Sequence, residues 1–469
     1  MLEKFEKEQD CEKLIINDNN IEQMETDTIE ENNICLGKLI YILKGISSII
    51  SSIIHTFSLY SNWILGYTTI YLISFRRHYN KKLDFSYSYC FIPLMHFAFS
   101  LTSPLGGFIE DKYGSRITIV ISDLILTFSF SIMYYSRDIY LDYFLMLIIG
   151  LGVGVGINIT KKNACSFFMN RKALISGIIY FFNNILCFGL LYCYEFDLLN
   201  YAGMPPTIDG LFYKKKIFMN YQKLIIFQIK MIFFTCLATL LFYFQNDPKE
   251  TLKYGFNEKI TIESNEIEKI DKRKRKISKE IKIKKALHST RTIKLIIMIF
   301  LFFPSMNYIN SFMRMSPFLY FIYGVIYYVM GAISILIFTV IGDCISFRIL
   351  FSFLAMLLTA ISFSFIEYFN NEEFYLFLGL LFDSFIRSGF RIIFDRHIMN
   401  VYGKEIFIEI WGTIRASGGM SEIFGIIFNF ILEENSYTYK VIFFINGCFG
   451  LVSLILGITE KEEKFKYDD

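Results

Sequence analysis

Charge is scarce in this chain. Asp, Glu, Lys and Arg make up 19% of its 469 residues, against about 25% in ordinary soluble domains. Histidine is rarer still, with five residues, and tryptophan contributes two. Nine cysteines lie scattered, at Cys11, Cys35, Cys90, Cys165, Cys187, Cys193, Cys236, Cys344 and Cys448. No two of them have metal-ligand spacing and no disulfide framework is visible, so they are expected to be small buried apolar residues, with no metal or other cofactor bound. No Ser/His/Asp set or phosphate loop stands in any loop long enough to host one, which argues against an enzyme. The first 33 residues are polar and acidic, with Glu3, Glu6, Glu8, Asp10 and Glu12 among them. They lack a basic start followed by an apolar core and are expected to form a disordered cytosolic tail, not a signal peptide.

Hydrophobic residues are present in excess. They make up 54% of the chain, aromatics 18%, and the mean hydropathy is +0.42. A soluble protein of this size cannot hide so much apolar surface, whereas lipid can solvate it. A membrane helix needs about 20 apolar residues to cross about 30 Å of hydrocarbon. Twelve segments qualify, near 47–74, 85–109, 116–136, 140–160, 172–193, 222–244, 292–312, 317–343, 347–367, 373–394, 406–430 and 439–459. They are too long, and alternate too little, for barrel strands. The fold class expected is therefore an all-α membrane protein.

Between the sixth and seventh segments a polar stretch carries Lys272, Arg273, Lys274, Arg275 and Lys276, then Lys279, Lys282, Lys284 and Lys285. It divides the chain into a tail (1–45), a six-helix bundle (46–245), a basic linker (246–291), a second bundle (292–460) and a short end (461–469). Basic loops stay cytosolic, so both termini are expected there. The linker reads as a solvated tether; an anionic-lipid contact or a regulatory amphipathic helix is the alternative. Nucleic-acid binding is not expected. One loop breaks the charge rule: Arg76, Arg77, Lys81 and Lys82 fall on the outside.

The two halves repeat a motif. Asp111 and Arg116 follow the second segment, Asp343 and Arg348 the eighth, each pair five residues apart in the turn that follows. The first of these, Gly107-Phe108-Ile109-Glu110-Asp111-Lys112-Tyr113-Gly114-Ser115-Arg116, resembles the loop signature of the major facilitator superfamily. Gly114 lets a two-helix turn close, and Lys112 and Arg116 anchor it on the positive side. The resemblance implies a conformational role for Gly107, Asp111, Lys112, Gly114, Arg116, Asp343 and Arg348, in two bundles that rock about a central cavity. The fourth segment, with Gly150, Gly152, Gly154 and Gly156, and the opening of the fifth, Lys172-Ala173-Leu174-Ile175-Ser176-Gly177-Ile178, resemble the oxalate/formate antiporter and monocarboxylate-transporter-like branch. So do Asn200, Pro205, Pro206, Phe212 and Tyr213, and Tyr402-Gly403-Lys404 followed by Trp411-Gly412. The glycines themselves read as a small face for close helix packing.

Ionisable residues inside spans are expensive and mark function. The tenth segment carries Asp383, Arg387, Arg391 and Asp395, each four residues apart and so along one slowly drifting stripe. Asp383 and Arg387 lie about 15–21 Å deep, and Arg415 of the eleventh segment about 14 Å from its own side. Guanidiniums at that depth suit a carboxylate; internal pairing of Asp383 with Arg387, and of Asp395 with Arg391, is the alternative. The anion-binding members of the resembled family place a basic residue within helix eight, and here Pro317–Asp343 has none. Asn158, Asn183 and Asn184 could line a cavity, while Lys161 and Lys162 read as snorkelling to the cytosol.

The expected function is secondary transport of a small organic anion such as lactate, pyruvate or formate. Arg387, Arg391, Arg415, Asn158, Asn183 and Asn184 would bind it, and Asp383, Glu422 or His55 would carry a coupling proton. An amino-acid or nucleoside carrier of the same fold, or a non-transporting receptor or scaffold, are the rivals. The partners expected are the small-molecule anion and membrane lipids, the protein a monomer in a plasma or organelle membrane.

Overall fold

A computed structural model describes residues 35–62, 69, 71–83, 87, 90–168, 171–194, 215–247, 250, 271–312, 317–342, 344–368, 373–403, 405–431, 436–461, 463 and 465. The acidic tail and the loop containing Asn200, Pro205 and Phe212 lie outside them, as do Cys11, Asp343 and the side chain of Glu422.

The described residues contain no strand. The helices are α1 (Cys35–Asn62), α2 (Phe91–Tyr113), α3 (Ser115–Tyr135), α4 (Ile139–Gly156), α5 (Ile159–Phe167), α6 (Lys172–Tyr192), α7 (Lys215–Phe242), α8 (Asp271–Leu287), α9 (Thr290–Phe312), α10 (Pro317–Gly342), α11 (Phe347–Tyr368), α12 (Glu373–Tyr402), α13 (Phe407–Ile431) and α14 (Ser436–Ile458). Helical backbone resumes over 71–77. α4 and α5 form one crossing, Ile139–Phe167. Each apolar segment expected from the sequence carries helix among its described residues. Eight of the described helices are long and apolar enough to span a bilayer. Large apolar side chains face outward, Leu124 61% exposed, Phe128 65% and Val340 71%; hydrocarbon is the solvent that makes such a surface stable. Cysteines follow the same rule imperfectly. Cys165 and Cys187 are buried as expected, but Cys35, Cys193 and Cys344 are exposed.

The two halves repeat one packing scheme. α2 packs on α4, and α10 on α12; α3 packs on α7, and α11 on α14. Between the halves the scheme is reciprocal, with α2 against α13 and α6 against α10. Glycine permits these close approaches. A Cβ at Gly150 or Gly154 would strike the α2 backbone, one at Gly412 would stand 2.5 Å from the Pro104 nitrogen, and one at Gly177 would collide with Thr339. The α4 glycines therefore pack helices, as their spacing implied.

Arg76 departs from the sequence expectation. It is not an outside loop charge: it is fully buried, at 0% exposure. Its guanidinium pairs with Asp142, Nη2 donating to Oδ1 at 3.0 Å, and also donates to the carbonyls of Met133 and Ser136. It therefore staples the backbone beyond α1 to the α3–α4 turn, and being buried it carries no weight in a loop-charge argument.

Candidate functional site

The face on which α8 lies, here the linker face, is shut by ion pairs. Gly114 takes φ +86° between α2 and α3, a conformation open to glycine. Arg116, otherwise exposed, donates to the Tyr243 carbonyl at 3.2 Å, and Lys162 holds Glu110 at 2.9 Å. Lys112 is exposed and lies over the Tyr113 ring. From α8, Lys279 Nζ reaches Asp111 Oδ2 and, at 2.8 Å, Glu409 Oε1 at the start of α13. One ammonium thus bridges the two halves. Burial works against its charged form, but Glu409 and Asp111 outweigh that and raise the Lys279 pKa above the usual lysine value. Gly107 lies against the same Glu409, where a Cβ would sit 2.7 Å from the carboxylate. In the second half Arg396 holds the Ile345 carbonyl at 2.9 Å, a counterpart of the Lys162 contact, while Arg348 stands exposed.

Deeper, the halves meet at charged residues. Lys161 of α5 and Asp395 of α12 are both 1% exposed and 2.6 Å apart. Tyr180 of α6 donates to the same carboxylate oxygen at 3.0 Å and accepts from Lys161 at 2.8 Å. Lys161 is therefore not a snorkelling residue. Adjacent helical positions diverge by about 100°, so Lys161 and Lys162 cannot face the same way, and the inner one takes a buried partner. Asp395 correspondingly is not paired with Arg391, the partner its spacing allowed.

One and two turns along α12 from Asp395 lie Arg391 and Arg387. Arg387 Nε pairs with Asp383 Oδ2 at 2.9 Å, as one alternative held. Arg391 has no carboxylate partner among the described residues. It approaches the Tyr327 hydroxyl at 3.3 Å, and its guanidinium lies 5.2 Å from the centre of the Tyr60 ring on α1. Arg415 of α13, 7% exposed, stacks over Phe99 of α2 at 4.1 Å, and its Nε has no hydrogen-bond acceptor among the described residues. Both guanidiniums interact electrostatically with Tyr60 and Tyr180, and Arg415 also with Arg391 and Asp395. Tyr60 and Tyr180 touch edge to face, 6.2 Å between centres. The centre thus holds two matched ion pairs and two guanidiniums that lie against aromatic rings and make no ion pair with a carboxylate among the described residues.

The asparagines flank this centre unequally. Asn158 is buried and donates to Ser103 at 3.3 Å, its carbonyl oxygen unmatched. Asn184 faces α10 and α12, its amide 2.8 Å from where a Gly331 Cβ would stand; Asn183 is held within α6 beside Cys187. His55 lies elsewhere, fully buried inside the first half, with Nδ1 3.4 Å from Thr160 and Nε2 3.9 Å from Asp123. The aromatic partners Tyr60, Phe99, Tyr180 and Tyr327 escaped the sequence reading, because nothing local separates them from the chain's many other rings.

No protein-family model matches the sequence, and no curated protein does. Solved structures do. The E. coli fucose:proton symporter superposes with a TM-score of 0.61 at 12% identity, covering 89% of this chain and 98% of its own. The human organic anion transporter TETRAN gives 0.60 at 12% identity, over 89% and 99%, and the nucleoside transporter NupG 0.56 at 12%, over 88% and 99%. The branch resemblance read from the glycines receives no support from these structures, but the architecture does: this chain has the fold of the major facilitator superfamily transporters.

Proposed function

We propose that the protein is a secondary transporter that moves a small organic anion, monocarboxylate-like, across a membrane by alternating access. The observation that carries the reading is the pair Arg391 and Arg415, a half-buried and a buried cation from α12 and α13 that make no ion pair with a carboxylate among the described residues. An uncompensated buried charge is costly, and a bound carboxylate relieves it. Guanidinium suits the task because it stays charged and donates in a fork. Arg387, already held by Asp383, is the weaker ligand of the three. Asn158 and Asn184 border the same region and serve as neutral donors; Asn183 supports the α6 face.

The linker face is the cytosolic side in this reading, with both termini on it, because nine basic residues of α8 collect there. The shut linker face then corresponds to a site turned toward the opposite side. Asp383, Glu422 and His55 are the acid–base groups assigned to proton coupling. His55, with Asp123, is set in the wall of the first half, so its part is indirect.

The test is uptake of labelled lactate into proteoliposomes under an imposed proton gradient, with fucose and uridine as competitors. Uptake that the neutral solutes do not inhibit, and that Arg391→Ala and Arg415→Ala abolish, supports the reading. Normal uptake by both variants refutes the site, and transport of the neutral solutes alone refutes the substrate class.

A further inference from the structure

The buried acids among the described residues are Asp123, Asp142, Asp383, Asp395, Glu409 and Glu460. All but Asp123 face a lysine or arginine. Arg76 holds Asp142, Arg387 holds Asp383 and Lys161 holds Asp395. Lys279 holds Glu409, and Arg291 holds Glu460. Asp123 of α3 makes no ion pair with Lys or Arg among the described residues. The basic group it faces is His55 of α1, Oδ1 to Nε2 at 3.9 Å, and the charge of a histidine depends on a proton. Both residues are sealed from solvent, His55 at 0% exposure and Asp123 at 2%.

The surroundings supply no substitute for that proton. The Cys236 thiol of α7, a weak donor, is the hydrogen-bonding neighbour of the carboxylate. No other titratable group on α1, α2, α4, α5 or α7 acts on either member among the described residues. The space is already filled by protein: a Cβ at Gly156 would collide with Ser122 and stand 3.1 Å from His55 Cε1. Bare, the Asp123 carboxylate is a buried charge without a cation, which is costly. One proton removes that cost, either as carboxylic acid on Asp123 or as an imidazolium on His55 paired with the carboxylate. We infer that His55 and Asp123 together form a proton-binding site in the wall of the first half, and that Asp123 is a carboxylate on which proton coupling depends. The geometry gives the proton a route to the seam between the halves. Imidazolium donates from both ring nitrogens, Nε2 toward Asp123 and Nδ1 toward the Thr160 hydroxyl, 3.4 Å away, whereas neutral imidazole donates from one. Thr160 directly precedes Lys161, the residue that holds Asp395 of the other half. The coupling role rests on the transport reading; the proton site itself does not.

Difference infrared spectra test the site in the full-length protein. Protein with isotope-labelled aspartate and histidine is reconstituted in liposomes, and spectra in acid and alkaline buffer are subtracted, so that carboxyl and imidazole bands are read together. The contributions of Asp123 and His55 are those that D123N and H55Q remove. A shared proton predicts that either substitution removes the pH-linked bands of both residues. Should D123N not fold, H55Q alone makes the comparison, since the Asp123 bands must disappear with it. The absence of a pH-linked band from either residue overturns the inference. So do His55 bands that persist in D123N, or Asp123 bands that persist in H55Q. The coupling role is read from labelled-lactate uptake, where one proton per solute supports about tenfold accumulation for each pH unit of gradient. D123N should lose that accumulation while still exchanging labelled for unlabelled lactate, which moves no net proton. Accumulation by D123N equal to wild type overturns the coupling role. A wild-type protein with the shared bands that carries no lactate would refute the transport reading and leave the proton site standing.

Discussion

Lys161 and Asp395, 234 residues apart in the chain, join the two halves through a 2.6 Å ion pair that solvent does not reach. Tyr180 closes the triangle by hydrogen-bonding to both. Removing one partner leaves a buried charge uncompensated, which costs about 3–5 kcal/mol, whereas replacing both with apolar residues of similar size is often near neutral. Lys161→Met should therefore lower the melting temperature of the detergent-solubilised protein sharply. The double variant Lys161→Met with Asp395→Leu should regain most of the loss. A double variant as unstable as the single one would show that the pair itself is not the source of the effect.

Arg391 and Arg415 differ from Arg387 in making no ion pair with a carboxylate among the described residues. A charge-assisted hydrogen bond contributes about 1.5–3 kcal/mol, so Arg391→Gln or Arg415→Gln should reduce labelled-lactate uptake by roughly 10- to 100-fold. Arg387→Gln, which breaks the Asp383 pair, should instead act mainly on stability. The ratio of uptake to protein surviving gel filtration distinguishes the two effects.

The Lys279 bridge keeps the linker face shut. Lys279→Gln leaves the 2%-exposed Glu409 carboxylate without its ammonium and should favour separation of the α2–α3 turn from α13. Spin labels at the exposed positions Lys112 and Arg348 should then report a longer distance by pulsed electron resonance. An unchanged distance distribution would mean that the glycine contacts alone close this face.

Those contacts make a steric prediction. A side chain at Gly412 meets backbone, the Pro104 nitrogen, which cannot rotate away. Gly412→Leu should leave the protein folded but unable to shut the linker face, with the same two labels reporting the longer distance and net transport lost. Wild-type transport by this variant would show that α2 and α13 never approach so closely during the cycle.

Glu460, just past α14, accepts from Arg291 at 2.7 Å and lies 3.1 Å from Lys294 and 3.4 Å from His397. Burial pushes its pKa up, but the hydrogen bonds from His397 and Arg291 and the Arg291 charge prevail, bringing it to about 2 from an ordinary 4.5. A carboxyl depressed in the folded state stabilises fully above its unfolded value and loses that contribution as pH falls through the folded one. Thermal stability should thus decline between pH 4.5 and about 2. Glu460→Gln should be less stable near neutrality and flatter across that interval, which a melting series against pH will measure.

The sequence by itself determined what depends on local order. Runs of about 20 apolar residues dictate helices because lipid leaves the backbone no other partner, and each expected run carries helix among its described residues. The glycines at 150 and 154 determined a close helix approach, and Gly114 a tight turn, since both follow from the absence of a side chain. The partner of a charge does not depend on local order. The spacing on α12 offered Asp395 to Arg391, and hydropathy sent Lys161 to the aqueous boundary. Arg76 counted as a loop residue until Asp142, 66 positions on, was brought against it. These pairings are decided by which helices pack together, across separations where sequence pattern carries no signal. The tertiary structure alone therefore decided which arginine is already neutralised, Arg387 by Asp383, and that Arg391 and Arg415 make no ion pair with a carboxylate among the described residues.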